Sequence, residues 1–582
     1  MKIRDLLYRS LKDILRITPQ TLFIEVICML FQSVLVAGNT WLLSLLLNNV
    51  YEKKYLNMVI CLGSVWGIFI LSEVANSVFY SCMIKIDSKV IMQLGMEIGE
   101  KGSRMSLIEY ENVEVNNKLK RAKNCIEQGR FSDLSLSVFN ILSEILKVTS
   151  TLMILASFHA GLAIISLLSV IPYFIVRMIR GKEFYELKSY QALKERRRDY
   201  LYHLFGDKRS VKELRIFGIE EYIEQKLCQT RDEMNDELWK FKKGDIRSLC
   251  WCEILCKAGY ITSVFFAILL LIENKLNFGM LASSLSAFAS FQLATKYFLI
   301  SLGRIPECAA FVGDYYSFMD IKEEDTGSDK LKANFQYIKV NNLSFCYPNT
   351  SRPAIKDICF NIKENESVAI VGSNGSGKTT LVKLLLGLYR AEKGKIYYGL
   401  QDIYSLNQSE LHKNISIVSQ DFEKYELSVR ENIGISDWKN MNDTKRMQKI
   451  LDEVELDELS SAEHLEMMLG KEFNGRELSI GQWQKLAIAR CVFRNSIITV
   501  LDEPTAALDP IMEAKILKQF LKIAKGKTAI IVTHRIGICR DVDKIIVMKD
   551  GEISEIGNHE ELLKMEGEYH KLYAIQKKWY VQ

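Results

Sequence analysis

The thirteen cysteines of this 582-residue chain show no paired spacing, so the sequence carries neither a disulfide framework nor a zinc-ribbon pattern. Cys250, Cys252 and Cys256 cluster, but in an apolar, helix-like run with no histidine nearby. Small buried thiols are the expectation there. Charge of one sign is also scarce. The formal net charge is only +5, and much of the Lys and Arg lies in two segments of the first half, a pattern that bears on membrane topology and does not suggest nucleic acid. No cleavable signal peptide is expected either. The first apolar segment follows a basic start (Lys2, Arg4, Arg9, Lys12, Arg16) and is long enough to span a bilayer.

What is present is unevenly distributed. The chain is too long for one core, so two or more domains are expected. Long apolar stretches crowd the first 310 residues, and the remainder alternates as a soluble α/β domain does. Runs of about 20 apolar residues predict six spans, near 21–48, 57–82, 135–157, 160–179, 250–272 and 279–303. The second-to-third and fourth-to-fifth connections are long and charged. One holds Lys118, Lys120, Arg121 and Lys123; the other holds Arg196, Arg197, Arg198, Lys208 and Arg209. Basic loops stay inside, which predicts cytoplasmic placement of both loops and both termini. Lys53 and Lys54 in the first outer loop oppose this and are outnumbered.

Ionisable residues inside or near the spans are Glu25, Glu73, Glu144, Lys147, Glu253, Lys257 and Lys296. Such groups face a bundle interior or an aqueous path. Glu253 and Lys257, four residues apart, are expected to pair. Lys296 is read as a cavity residue, as a side chain snorkelling to the interface, or as part of a structural ion pair.

In the second half, Gly372, Ser373, Asn374, Gly375, Ser376, Gly377, Lys378 and Thr379 fit GxxxxGK(S/T). They stand between a strand-like run, Ser367 to Val371, and a helix-like run, Leu381 to Leu388. Glycines let backbone N–H groups curl around phosphates, and the helix start adds partial positive charge. Lys378 would reach the β- and γ-phosphates of a nucleoside triphosphate, Thr379 would ligate Mg²⁺, and Thr380 follows them into the helix. The apolar strand ending at Leu501 leads into Asp502 and Glu503, one carboxylate for the metal and one to polarise an attacking water. His534 follows another apolar strand and is placed to hydrogen-bond the γ-phosphate. Gln420 ends a third and would report on metal and water. Tyr347 offers a ring for the adenine. Ser479 and Gly481 stand at the start of a helix-like run, a second anion-binding end.

With these motifs in this order the chain resembles an ATP-binding cassette exporter half-transporter over nearly its whole length. The resemblance implies an all-α six-helix transmembrane domain followed by an α/β P-loop domain with an antiparallel β subdomain. The expected boundaries are 1–318 for the membrane domain, 319–335 for a linker and 336–582 for the nucleotide-binding domain. It makes Gly372 to Thr379 the Walker A loop and Asp502 the Walker B aspartate. Glu503 becomes the catalytic base, Gln420 the Q-loop, His534 the switch histidine and Tyr347 the A-loop aromatic. Ala507 to Asp509 becomes the D-loop, and Leu478 to Gln482 the signature, offered across a dimer to the partner's ATP. Tyr110 to Lys118 resembles the first coupling region, and Lys212 to Gly218 the segment before the second.

One departure stands out. Ile480 replaces the signature's first glycine, while Ser479, Gly481 and Gln482 remain. A homodimer with two such sites is the preferred reading; a heterodimer with one weakened site is the alternative. The implied cofactors are ATP and Mg²⁺, the setting a multi-pass protein of the cell membrane, and the partners a second half-transporter and an exported substrate, with no nucleic acid. Gly481 to Lys485 resembles the signature region of bacteriocin and lanthipeptide exporters, which favours a peptide over a drug-like molecule or lipid. No Cys/His pair precedes the first span to serve as a processing peptidase, so the peptide is expected already processed or cleaved elsewhere. A nucleotide-gated channel is the non-transporter alternative.

Overall fold

A computed structural model describes residues 3–580 except 324–326, 333–335, 349, 351, 504–514, 516–517 and 523. Its contacts divide the chain into two units. Met1–Ser103 and Glu114–Ile321 form one; Arg104–Val113 and Lys322–Gln582 form the other.

The first unit is helical. Its elements are α1 (Ile3–Ile17), α2 (Pro19–Tyr51), α3 (Tyr55–Arg104), α4 (Val113–Glu127), α5 (Arg130–Phe158), α6 (Ala160–Gly206), α7 (Lys208–Phe217), α8 (Glu220–Ile272) and α9 (Phe278–Met319). Among the described residues, six segments are long and apolar enough to cross a membrane: α2, α3, α5, the first 22 residues of α6, α8 and α9. Each contains one of the six apolar runs. At 50 and 53 residues, α3 and α8 measure roughly 75–80 Å at 1.5 Å per residue. A hydrocarbon core is about 30 Å thick, so both helices continue well beyond it.

Local chemistry explains the joints. The turn between α5 and α6 is held by His159, whose Nδ1 accepts from the Gly161 N–H at 3.1 Å. Helix α1 is amphipathic, burying Leu6, Ser10 and Ile14 at four-residue spacing. Its polar side is pinned to the end of α9: Arg9 pairs with Asp320 at 2.9 Å, and the Tyr316 hydroxyl donates to Asp13 at 2.6 Å. Helices α6 and α8 approach closely because Gly259 has no side chain; a Cβ there would lie 2.4 Å from the Ser169 Cβ. Small residues allow the same approach wherever membrane helices pack tightly. Cys252 and Cys256 are buried at this contact, their thiols donating to the backbone oxygens of Pro172 and Ser169, while Cys250 is exposed.

The ion pairs differ from expectation in one place. Glu144 does bond Lys147, at 2.7 Å. Glu253, however, pairs across helices with Lys296 and not along its own helix with Lys257. The α8–α9 packing brings the Lys296 ammonium to the carboxylate and removes the reason for the i,i+4 pair.

The second unit is built on two sheets. A four-stranded antiparallel sheet has the order β2-β1-β4-β5, from Tyr337–Phe345 (β1), Ile355–Lys363 (β2), Ile396–Tyr398 (β4) and Gln401–Asp402 (β5). The six-stranded sheet runs β10-β9-β3-β8-β7-β6. It comprises Ser367–Gly372 (β3), Ile415–Val418 (β6), Ile498–Asp502 (β7), Thr528–Val532 (β8), Lys544–Lys549 (β9) and Glu552–Gly557 (β10). All its pairings are parallel except β9–β10. Helix α10, Lys378–Leu385, leaves the C-terminal end of β3. Side chains alternate across β3. Val368 and Ile370 pack with Leu381, Leu384 and Leu385 of α10; Ala369 and Val371 pack on the other face with Leu486 and Ala487. Burial on both faces explains why β3 and β8 read as unbroken apolar runs.

Candidate nucleotide-binding and hydrolysis site

Strand register gathers the chemistry. Ile370 of β3 and Asp502 of β7 both stand opposite Val532 of β8. The loop after β3, the carboxylates ending β7 and the segment after β8 therefore meet at one edge, the crevice beyond the carboxyl ends of a parallel sheet.

The loop has the backbone a phosphate cradle needs. Gly375 and Gly377 adopt φ of 77° and 98°, values that suit glycine. At Gly377 a Cβ would stand 2.7 Å from the Ala354 backbone oxygen. Ser376 carries a buried hydroxyl with no hydrogen-bond partner, a donor available for an anion. Lys378 is buried. Its ammonium donates to the backbone oxygens of Gly372 and Ser373 at 3.1 and 3.2 Å and lies 3.3 Å from a Glu503 oxygen. Thr379, next in line, is half-buried, and Thr380 is buried with its hydroxyl 2.9 Å from that of Tyr347.

Glu503 sits at φ 37°, an uncommon position for a residue with a Cβ. Its N–H is held by the Val532 oxygen at 3.1 Å. Its other oxygen lies 3.8 Å from His534 Nδ1. The nearby His534 imidazole, with the Lys378 charge behind it, holds this carboxyl below its usual range against the opposing effect of burial. Asp502 goes the other way. Burial first, and the adjacent Glu503 second, push it up to about 6. Its Oδ1 is buried without a partner, the condition of a carboxylate shaped for a cation. Asp421, just after the exposed Gln420, also raises Asp502 by its charge.

These features fit ATP with Mg²⁺. Asp502, Thr379 and Gln420 would hold the metal, which when bound would neutralise phosphate charge. Because Asp502 is protonated below about pH 6, proton and metal compete for one oxygen pair. Between pH 6 and 5 the half-saturating Mg²⁺ concentration for nucleotide binding should rise about fivefold, one proton displacing one metal ion. Calorimetric titration at both pH values measures it, and a flat response would remove Asp502 from the metal site.

Ser479 caps the helix Ile480–Phe493, accepting from Gln482 N–H at 3.2 Å while the Gln482 side chain accepts from Ser479 N–H at 2.8 Å. That reciprocal box fixes the helix start without help from position 480. Ile480 is half exposed and does not disturb the turn. Asp509 lies outside the described residues.

Three supporting residues gave no motif in the sequence. Tyr389 stacks on Phe345 at 5.5 Å and meets Tyr347 edge-on at 5.8 Å. Its hydroxyl donates to Glu111 and accepts from Lys383, both at 3.0 Å. Glu458 accepts from the Gln482 amide and pairs with Arg476. Gln576, on the helix Glu568–Tyr580, donates to the His534 backbone oxygen and accepts from Ile536 N–H at 2.8 Å. It clamps the histidine's loop from a distant part of the chain. Gln576→Ala should lower maximal ATP turnover several-fold, with Gln576→Glu retaining only the Ile536 bond and falling between; steady-state phosphate release distinguishes the three.

The class defined by this fold and site is a P-loop ATP-binding protein joined to a six-span membrane unit. Residues 355–506 match the ABC transporter family. The chain is 30% identical over 528 residues to the subtilin transport ATP-binding protein SpaT of Bacillus subtilis, covering 89% of this chain and 86% of that one. It is 30% identical over 499 residues to the nisin transport ATP-binding protein NisT of Lactococcus lactis subsp. lactis, covering 84% and 82%. The ATP-dependent lipid A-core flippase of Haemophilus influenzae aligns at 26% over 559 residues, 94% of each chain. Among solved structures, a bacterial Atm1-family ABC exporter with ATP bound superposes with TM-score 0.78 at 20% identity, covering 95% of this chain and 98% of that one. The chain belongs to the ABC transporter family, in the exporter arrangement of a membrane domain followed by a nucleotide-binding domain.

Proposed function

We propose that the protein exports a peptide of the bacteriocin or lanthipeptide kind, by alternating access in a dimer driven by ATP. The observation that carries the peptide assignment is the near-full-length likeness to two transport proteins named for subtilin and nisin. Half-transporters of this family work in pairs, and the homodimer is preferred because the capping box at Ser479 and Gln482 keeps the signature helix start intact despite Ile480. Both termini and both long basic loops face the cytoplasm.

In the hydrolysis step Glu503 takes the proton from the attacking water. His534 orients that carboxylate, and Lys378 holds the terminal phosphates. Lys378 and Glu503 are paired in this structure. Phosphate oxygens compete for the same ammonium, so nucleotide binding frees the base it will use. ATP must bind one conformation more tightly than the other to drive the cycle.

The test is ATPase activity of the chain purified alone in nanodiscs, with and without a lanthipeptide. Turnover that the peptide raises several-fold supports a self-sufficient peptide exporter. A folded, ATP-binding sample without turnover overturns the homodimer, and stimulation by lipid or drug-like molecules alone overturns the peptide reading.

A further inference from the structure

Two cavities in the membrane unit have cationic side chains near one aromatic ring, Tyr173. The smaller, about 420 Å³, lies between α6, α8 and α9 and is lined by Tyr173, Glu253, Lys257, Tyr260, Gln292 and Lys296. The larger, about 970 Å³, has Arg177 in its wall. The Lys296 ammonium lies 5.8 Å from the Tyr173 ring centre and the Arg177 guanidinium carbon 6.0 Å. A ring face so placed attracts cations and helps hold them in position.

The charges do not balance. Glu253 is taken by Lys296. Among the described residues, Lys257 and Arg177 have no carboxylate within ion-pair distance, and the Arg177 Nε is buried without a hydrogen-bond acceptor. In the smaller cavity two lysines thus face one carboxylate, an excess of one positive charge, and Arg177 stands beyond the Tyr173 ring in a wall that also carries Glu195, Asp199, Glu307 and Asp314. Glu253, Lys257 and Lys296 lie on helices long and apolar enough to cross a membrane, yet the Glu253 and Lys296 side chains are 40% and 42% exposed. A lysine facing lipid at mid-span costs about 2.5–3.5 kcal/mol or more. A face carrying an ion pair plus a spare lysine therefore meets water, as the wall of a transport path does.

The rest of the pocket is built to hold this arrangement in place. Glu253 and Lys257 are one helical turn apart on α8 and present the same face. Gln292 is anchored by donating to the Cys256 backbone oxygen at 2.8 Å, and the Cys256 thiol ties α8 to α6 through the Ser169 oxygen at 3.2 Å. The pair Glu253–Lys296 spans α8 and α9, so an anion that competes for Lys296 acts on the packing of both.

We propose that Lys257, Lys296 and Arg177, arranged around Tyr173, form a recognition site for a carboxylate carried by the exported peptide. This rests on the peptide-export reading above. Glu253 holds Lys296 until the substrate carboxylate displaces it, and the two unpaired cations supply the attraction that makes the exchange favourable.

The test uses the full chain in nanodiscs and two fluorescent 20-residue peptides that differ only in carrying two aspartates or two asparagines. Fluorescence anisotropy should show the aspartate form binding at least tenfold more tightly. Lys257→Gln, an exposed position with no ion pair to lose, should cut that preference several-fold. The double change Glu253→Gln with Lys296→Gln removes the pair without stranding a charge and should abolish the preference, while the double change Glu253→Asp with Lys296→Arg should restore most of it. A preference equal in wild type and both neutralised variants overturns the site. Binding of the two peptides with equal affinity overturns it as well, while leaving peptide export standing. Binding of neither peptide removes the peptide-export reading and this inference with it. Displacement of bound peptide by phosphatidate in the nanodisc, at concentrations where phosphatidylcholine has no effect, makes the site one for lipid phosphate and overturns the carboxylate assignment.

Discussion

Glu503→Gln should reduce ATP turnover by about 10²–10⁴-fold, the range a positioned general base contributes, while ATP still binds. The amide keeps the shape and cannot take a proton from water. It also gives up the attraction to Lys378 at 3.3 Å and to His534 at 3.8 Å. Losing the Lys378 contact has its own consequence. The ammonium no longer has to leave a carboxylate before it meets phosphate, so the apparent affinity for ATP should rise as turnover falls. Measuring turnover and ATP affinity on the same preparation separates the two effects. Turnover within threefold of wild type would take the base role from Glu503.

Lys378→Met should weaken ATP binding by roughly 10–150-fold, the equivalent of about 1.5–3 kcal/mol for a charged hydrogen-bonding group. The methionine fills similar space, so the loop's packing against Met548 and Ile355 survives. The charge that gathers the phosphates does not. Glu503 then faces the phosphates without its counter-ion, and repulsion adds to the loss. The double change Lys378→Met with Glu503→Gln should recover part of the affinity. That recovery measures how strongly the two side chains oppose each other over the nucleotide, and complete additivity would show that they act independently.

Much of this site is legible in one dimension because it is made of contiguous runs. A glycine loop between strand and helix, or two acids ending an apolar strand, carries its geometry in its own spacing. The six spans are equally plain, since bilayer thickness sets a length that apolar runs must meet. What stays hidden is long-range. Gln576 clamps the loop after His534 from 42 residues away, and nothing near either residue announces it. Tyr389 reads as one more aromatic in a leucine-rich run, yet it ties Glu111 to the ring beside the P-loop across 278 residues. Glu253 shows the same limit in miniature. Its local spacing pointed to Lys257, and a packed neighbouring helix offered Lys296 instead.

The segment Arg104–Val113 groups with the second unit although more than two hundred residues of the first unit follow it. Ile108 packs against that unit's apolar core, and Glu111 bonds Tyr389. The backbone consequently passes between the units three times, and cutting the connection after Ile321 severs only one of these passages. A soluble fragment begun near residue 336 would lack a piece of its own surface covering and expose the apolar ground on which Ile108 sits. Grafting the ATPase half onto another transporter meets the same difficulty. The exchangeable module is discontinuous in sequence, and a chimera that moves only the carboxyl-terminal stretch leaves its first ten residues behind in the donor.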